Sequence, residues 1–311
     1  MNPQKTNFKN RESGATLLFV IILITVLALL GVGLYTLVMT SQLNQAEAQK
    51  SAKAYYLSES CLRIAASEYK YARSVSALDA AAALTNLNSS TVTLPGSQGS
   101  CAITLYPYWF YAPAAMTVAS GSQQITLYLP GAVPAIEDNG STFISLSFPS
   151  GVTAKLKKKG SSTEVYEFTS ATFSSFVTGT GTSATFTLKS VLTSNLNIAA
   201  GDEFYLGAAY TMQATTPTAG GSLTLTLNAG DTTAMTGQIF PPVNGTIFID
   251  ITGVPLIKYD KRTLNNTTPK TVTLSNIQAV SGTIPTTING ASVDIYMGKS
   301  LGISSVATYG N

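Results

Sequence analysis

The chain has 311 residues, of which 45% are hydrophobic and only 11% are charged, and its formal net charge is +3. So small a net charge gives no basic field for binding nucleic acid, and the charged fraction is well below the roughly 25% of typical soluble domains. Because histidine is absent, Ser/His hydrolases, Cys/His proteases and most zinc sites are excluded. We therefore expect a protein that is not an enzyme and has no catalytic residue, metal or cofactor.

A charged leader, residues 1–14, precedes a long apolar run, residues 15–39, that contains no charged side chain. The charged residues of the leader are Lys5, Lys9, Arg11 and Glu12. As a helix the run spans about 37 Å, which is enough to cross a hydrocarbon core of about 30 Å. Since positive residues remain on the cytoplasmic side, we expect a cytoplasmic N-terminus and an exported remainder.

Three interpretations of this run are open. A cleaved secretory signal would have an apolar core of about 7–15 residues with the cleavage site directly after it, whereas the small residues Ala46 and Ala48 come after a polar spacer. A single-pass anchor needs only a long apolar run with basic residues before it. The third interpretation is a filament subunit, and it depends on the segment from residue 40 onward.

Residues 40–86 contain no Gly or Pro and are rich in helix formers, so we expect the helix to continue beyond the membrane to about residue 86. Apolar residues recur there at three- and four-residue spacing, which predicts a stripe that packs on another part of the chain. The stripe consists of Ala54, Leu57, Cys61, Ile64, Ala65 and Ala72. Glu59 and Arg63 are placed to form an ion pair on the opposite face.

The segments "GATLLFVIILITVLALLGVGL" and "AKAYYLSESCLRIAASEY" resemble the type IV prepilins and pseudopilins. The likeness is greatest to minor pilins that start with Gly-Ala and carry a Tyr-x-x-Glu-x-x-Leu phrase, here Tyr56, Glu59 and Leu62. The resemblance covers the first quarter of the chain. It implies that a prepilin peptidase cuts between Gly14 and Ala15 and methylates the new amine of Ala15.

The same resemblance implies the partners and the location of the protein. The helix would contact other pilin subunits, and an inner-membrane assembly platform would move the subunit from the bacterial inner membrane into an extracellular pilus. The fifth residue after the predicted cut is usually glutamate in this family and is Phe19 here. This departure favours an initiating, tip-located or sparsely incorporated subunit, or simply a more hydrophobic anchor. Gly31 and Gly33 mark either a softening of the helix or close packing between helices.

After about residue 87 the sequence changes to short alternating segments rich in Thr, Tyr, Phe and Ile, separated by Gly, Pro, Asn and Ser. The predicted fold class is α+β, with a long N-terminal helix packed on one or two antiparallel β-sandwiches. A linker-like cluster at 217–221 divides the region into 87–216 and 217–311, and the second part is either a separate β domain or a continuation of the first.

Three smaller features complete the sequence-based predictions. Cys61 and Cys101 suit one disulfide in an exported domain, or otherwise two buried thiols. The run of four lysines, Lys155, Lys157, Lys158 and Lys159, is interpreted as a solvated hairpin in preference to a DNA-binding patch. Trp109 lies in the densest aromatic cluster and is expected to pack in the core or against the helix.

These features together predict a pilin-like filament subunit used in adhesion, motility or DNA uptake. Two other functions remain open: a pseudopilin of a type II secretion system, and a membrane-anchored surface protein that forms no filament. The partner of the β region would be a surface ligand, another pilin or DNA.

Overall fold

Two helices begin the chain in the computed structural model: α1 spans Lys9–Val75 and α2 spans Ala77–Leu87. The structure describes residues 9–93, 99–133, 135–136, 141–142, 145–147, 154–212, 219–227, 240–241, 243–250, 256–265, 271–281, 284 and 292–309. The 67 residues of α1 make a rod of about 100 Å. The first eight residues of the predicted leader lie outside the described residues.

The prediction of one helix to about residue 86 is wrong, because the helix breaks at Ser76. The backbone of Ser76 is extended, with φ −156° and ψ 167°. Its hydroxyl accepts a hydrogen bond from the Asp79 N–H (3.0 Å) and donates to the Asp79 carboxylate (2.6 Å). This is an N-cap with an acidic residue three positions later, which starts a new helix. As a result α2 packs back against α1.

The rest of the described chain forms β-strands. The strands of the first half are β1 Thr91–Thr93, β2 Gly99–Pro107, β3 Phe110–Tyr111, β4 Met116–Val118, β5 Gln124–Leu129, β6 Ala135–Ile136, β7 Ser141–Thr142, β8 Ser145–Ser147, β9 Ala154–Lys158 and β10 Val165–Phe173. Those of the second half are β11 Thr182–Leu188, β12 Leu196–Ile198, β13 Glu203–Met212, β14 Ser222–Leu227, β15 Val243–Ile249, β16 Leu256–Asn265, β17 Thr271–Ser275, β18 Gln278–Ser281, β19 Ser292–Met297 and β20 Leu301–Tyr309. The predicted class, a long helix on an antiparallel all-β region, is confirmed.

Strand β13 is shared by two closed rings of antiparallel strands. In the first ring the order is β13, β3, β5, β11, β10, β9 and back to β13. In the second it is β13, β19, β15, β16, β17, β14 and back to β13. The ladder therefore crosses the boundary predicted at 217–221, and buried residues from both rings form one hydrophobic cluster.

The two faces of β13 are both buried, and each serves a different layer. Phe204, Leu206 and Ala208 point into the large hydrophobic cluster of the rings. Tyr205 belongs instead to a second cluster, which is shared with the helix. Gly207 is obligatory on that side, because a Cβ atom there would lie 2.3 Å from the Tyr296 ring. A fully buried central strand of this kind explains the apolar run "FYLGAA" in the sequence.

A separate sheet of β1, β2 and β20 lies next to the helix. Nine consecutive residue pairs join β2 to β20, from Gly99 opposite Tyr309 to Pro107 opposite Leu301. The first long strand of the β region is therefore paired with the last. Their buried residues, including Cys101, Ile103 and Leu105, meet Trp109, Tyr205 and Tyr296 in the second cluster.

The four lysines at 155–159 are all ion-paired within the domain. Strands β9 and β10 do form a hairpin, but the prediction that it is solvated is wrong for Lys157, which is 7% exposed. The pairs are Lys155 with Asp294, Lys157 with Asp250 (2.6 Å), Lys158 with Asp202 (2.9 Å) and Lys159 with Glu203 (2.6 Å). Because these partners neutralise the run, it leaves little charge for an external polyanion.

Two of these pairs join the first ring to the second. Lys155 and Lys157 lie on β9, while Asp294 lies on β19 and Asp250 directly follows β15. The ammonium of Lys157 also lies 5.3 Å from the centre of the Tyr296 ring, which suits a cation–π contact. These contacts restrain how the rings can move about their common strand.

Glu203, at the start of β13, is the most deeply buried of the carboxylates that pair with the lysine run. Its side chain is 3% exposed and pairs with both Lys159 and Lys299. Burial pushes the pKa of Glu203 upward, but the hydrogen bonds from the two lysines outweigh burial and hold the pKa below its ordinary value of 4.5. Burial in turn lowers the pKa of Lys299 despite its bond to Glu203.

We expect Glu203→Gln to lower the free energy of unfolding by about 3 kcal/mol at pH 7, because it leaves the buried Lys299 without a counter-charge. Because the pKa of Glu203 is lower in the folded chain than in the unfolded chain, ionised Glu203 stabilises the fold at pH values above the unfolded pKa. This stabilisation is lost as the pH falls through the folded pKa. The gap between wild type and variant should therefore shrink from pH 7 to pH 3. Urea unfolding of the full chain in micelles, followed by the fluorescence of the single tryptophan Trp109, measures both quantities.

The matched control is Glu167→Gln at the exposed pair with Lys189, whose side chains are 41% and 55% exposed. This change should cost about 0.5 kcal/mol or less. An equal loss in both variants would contradict the role assigned to Glu203.

Candidate functional site

The first half of α1 is an exposed apolar rod, and this surface is the candidate functional site. Every residue from 15 to 53 is exposed, and burial against the β region begins at the half-buried Ala54. The exposed part is about 58 Å long. Its most apolar stretch has a mean hydropathy of 3.1 and none of it is buried, so by length and composition α1 can cross a membrane.

Three threonine hydroxyl groups in the apolar run and directly after it are satisfied by the helix itself. Thr25 donates to the Ile21 carbonyl (2.8 Å), Thr36 to that of Gly33 (2.9 Å) and Thr40 to that of Thr36 (2.9 Å). Such bonds spare these groups the cost of an unpaired donor in hydrocarbon. The segment therefore suits a lipid or helix-packed environment despite its threonines.

The residues singled out from the resemblance lie along this rod. The backbone is helical through Gly14 and Ala15, and the side chain at Phe19 is 67% exposed. The helix also continues without interruption across Gly31 and Gly33, where an added Cβ would meet no atom within 4 Å. No other part of the described chain packs closely against these glycines.

The second half of α1 packs on the β region through the predicted stripe. Leu57, Cys61, Ala65 and Ala72 are buried, with 7%, 1%, 1% and 7% exposure. The prediction that Ile64 belongs to the stripe is wrong, since this residue is 42% exposed. It precedes Ala65 by one residue, and the 100° step per residue turns it away from the domain. On the outer face, the predicted ion pair of Arg63 with Glu59 is present at 2.7 Å.

A disulfide fixes this half of the helix to β2. Cys61 and Cys101 are bonded, as predicted, with their Cα atoms 6.7 Å apart. Both residues are buried in the second hydrophobic cluster. Gly99 allows the close approach, since a Cβ there would lie 2.8 Å from the Thr308 carbonyl oxygen and 3.3 Å from Leu57.

Polar contacts also join the helix to the C-terminal strand β20. The Ser58 hydroxyl donates to the Ser305 carbonyl (3.3 Å), and the Ser305 hydroxyl donates to the Ser58 carbonyl (3.1 Å). Nearer the apolar rod, the Lys53 ammonium donates to the Tyr309 hydroxyl (3.2 Å). Since β20 pairs only with β2 among the described strands, the helix covers part of a strand edge that would otherwise be open.

The C-terminal part of α1 packs on the β region through an aromatic contact. Tyr69 lies 6.2 Å from Trp109 between ring centres, and Trp109 is 1% exposed, which confirms the predicted helix-facing packing. The Lys299 ammonium lies 4.9 Å from the centre of the same indole ring. Burial, acting against a nearby Arg73, raises the pKa of Tyr69 to about 12, so its hydroxyl remains protonated.

In the part of the chain that the structure describes, no group of three or more His, Cys, Asp or Glu residues could hold a metal ion. No protein-family model, curated protein or solved structure matches this chain. The function must therefore be inferred from the geometry of α1 and of the domain that it carries.

Sequence reasoning missed two features of this assembly. The break at Ser76 has a local signal, the Ser-x-x-Asp pattern of Ser76 and Asp79, which is a capping box. The carboxylates that neutralise the lysine run have no such signal. Asp250 and Asp294 are remote in sequence from Lys157 and Lys155, and only the ring topology brings them together.

We expect reduction of the Cys61–Cys101 bond to lower the free energy of unfolding by about 4 kcal/mol, the chain-entropy value for a closed loop of 40 residues. Thermal unfolding of the full chain with and without reductant measures this change. A Cys61→Ser/Cys101→Ser variant is the control and should unfold at the same temperature in both conditions. If reductant leaves the wild-type transition unmoved, the bond does not stabilise the junction.

Proposed function

We propose that the chain is a type IV pilin-like filament subunit, incorporated at the start, at the tip or sparsely along the fibre. It would be held in a bacterial inner membrane with its β region exported, processed by a prepilin peptidase and assembled into a surface pilus. The observation that carries the proposal is one continuous helix whose first half is apolar and fully exposed and whose second half is locked to a β domain.

The apolar surface of this exposed helix must be shielded from water by another molecule. Between Leu17 and Met39 most large apolar side chains are 43–68% exposed, far more than a soluble monomer tolerates in one contiguous surface. Lipid can cover it before assembly, and the apolar helices of neighbouring subunits can cover it afterwards. Transfer between these environments exchanges one apolar contact for another, so the free-energy barrier lies in steric rearrangement more than in loss of hydrophobic burial.

Phe19 supports the proposal that the subunit is incorporated at the start or at the tip of the fibre. A carboxylate at this depth would be costly in hydrocarbon unless it were paired. With Phe19 the subunit avoids that cost, and it also lacks the acid that, by resemblance, pairs with the N-terminal amine of a neighbouring subunit. A subunit that needs no such pairing suits initiation or the tip.

The described part of the β region is firmly attached to α1. The disulfide, the buried stripe and the β20 contacts all lie between residues 53 and 72 of α1. Force along the rod would reach the rings through these contacts, which join α1 to β2 and β20. The same arrangement would serve a secretion pseudopilin, which works by axial movement.

We expect the mature chain recovered from cells with a prepilin peptidase to begin at Ala15 and to carry one added methyl group on its amine. Mass spectrometry of the N-terminal peptide measures both changes. A Gly14→Val variant is the control and should keep its first fourteen residues. A wild-type chain that retains those residues would contradict the proposal and leave a tethered surface protein.

A second measurement distinguishes the pilus from the pseudopilus. Cells are sheared, and the fibre and membrane fractions are probed for the chain. Recovery in the fibre fraction supports the pilus subunit. Recovery of a processed chain in the membrane fraction alone supports the pseudopilin.

A further inference from the structure

An open cleft lies at one end of the first ring, where β4, β12, the end of β9 and the start of β13 meet. It has a volume of about 440 Å³, within the range of small-molecule sites. Its lining includes Met116, Thr117, Lys158, Asn197, Ile198 and Asp202. None of these residues takes part in the helix junction or in the two ion pairs that join the rings.

The cleft lies far from the apolar half of α1. Gly201, next to the lining residue Asp202, lies close to the start of α2, since a Cβ atom added at Gly201 would lie 3.5 Å from the Leu78 side chain. Leu78 comes shortly after the end of α1 at Val75, and the apolar run ends at Met39. The cleft is therefore at the end of the domain that points away from the membrane or fibre core, where a ligand outside the cell can reach it.

The polar groups of the cleft are held in place by one another. The Lys158 ammonium lies 2.9 Å from the Asp202 carboxylate and 3.5 Å from that of Glu164. The same Asp202 carboxylate accepts from the Ala199 N–H at 2.8 Å, which fixes the turn. Thr117 donates to the Asn197 side-chain carbonyl at 2.9 Å across the β4–β12 pair. Such pre-organisation lowers the entropic cost of binding.

This arrangement defines the chemistry of a ligand. The carboxylate of Asp202 and the side-chain amide of Asn197 both line the cleft and supply an acceptor and a donor, which matches hydroxyl groups that both donate and accept. Lys158 is already neutralised by two carboxylates, so a phosphate or sulfate would meet net negative charge.

We infer that this cleft binds a neutral oligosaccharide through Asp202 and Asn197. The inference goes beyond the proposed function and does not require a filament, because a tethered surface protein would present the cleft equally well. Failure to bind sugar would leave the processing of the N-terminus untouched, and the reverse also holds.

The test is a microarray of glucose- and galactose-based neutral oligosaccharides, printed beside sialylated and sulfated ones. The full chain is presented in lipid nanodiscs, because a glycoside detergent would compete for the cleft. We expect binding to neutral glycans, and Asp202→Asn and Asn197→Ala should each weaken it about tenfold or more, as expected for loss of a hydrogen bond to a polar or charged group.

Glu167→Gln, on the exposed pair with Lys189, is the matched control and should bind as the wild type does. Asn197 is exposed, so Asn197→Ala decides the question if Asp202→Asn lowers the melting temperature. Binding to acidic glycans alone, no binding to any neutral glycan, or full binding by Asn197→Ala would each overturn the inference.

Discussion

The junction between α1 and β2 is the constraint on which the rest of the structure depends. An exposed apolar rod and a hydroxyl-rich β region have opposite solvent requirements, and they meet along the stretch from Lys53 to Ala72. There, small and apolar side chains bury one face of the helix, and the Cys61–Cys101 bond holds the helix covalently to β2. Because β2 is paired along its length with β20, the same bond also ties the C-terminal strand to the helix.

A second level of organisation comes from the shared strand β13. The inward side of this strand points into the core of the rings, and its outward side is covered by other parts of the chain. Tyr205 and Gly207 face the aromatic layer beneath the helix. At the edge of that layer, Glu203 forms ion pairs with Lys159 and Lys299. Buried ion pairs of this kind contribute little net stability compared with apolar packing, but removal of one partner leaves a buried charge without compensation.

The proposed function and the inferred sugar site occupy opposite ends of the molecule. At one end, the proposed function would have an uncharged helix exchange lipid for other helices, which requires hydrophobic surface and little specificity. At the other, a few fixed polar groups in an open cleft supply specificity with little surface. The rigid junction and the ion-paired rings between them allow force on the helix and contact at the cleft to act on one body.

The sequence by itself determined the features that depend on local pattern. The apolar run, the stripe through Leu57 and Cys61 and the alternating strands follow from composition and periodicity, and the structure contains each of them. The two cysteines alone left a disulfide and a pair of buried thiols open, and the structure contains the disulfide. The break at Ser76 was also encoded locally, but a run of helix formers obscured it. Only the tertiary structure decided that β13 closes two rings, that Lys157 is buried against Asp250, and that Ile64 faces outward. These outcomes depend on pairings between residues far apart in the chain, and no local periodicity specifies which distant strand or carboxylate a given residue will meet.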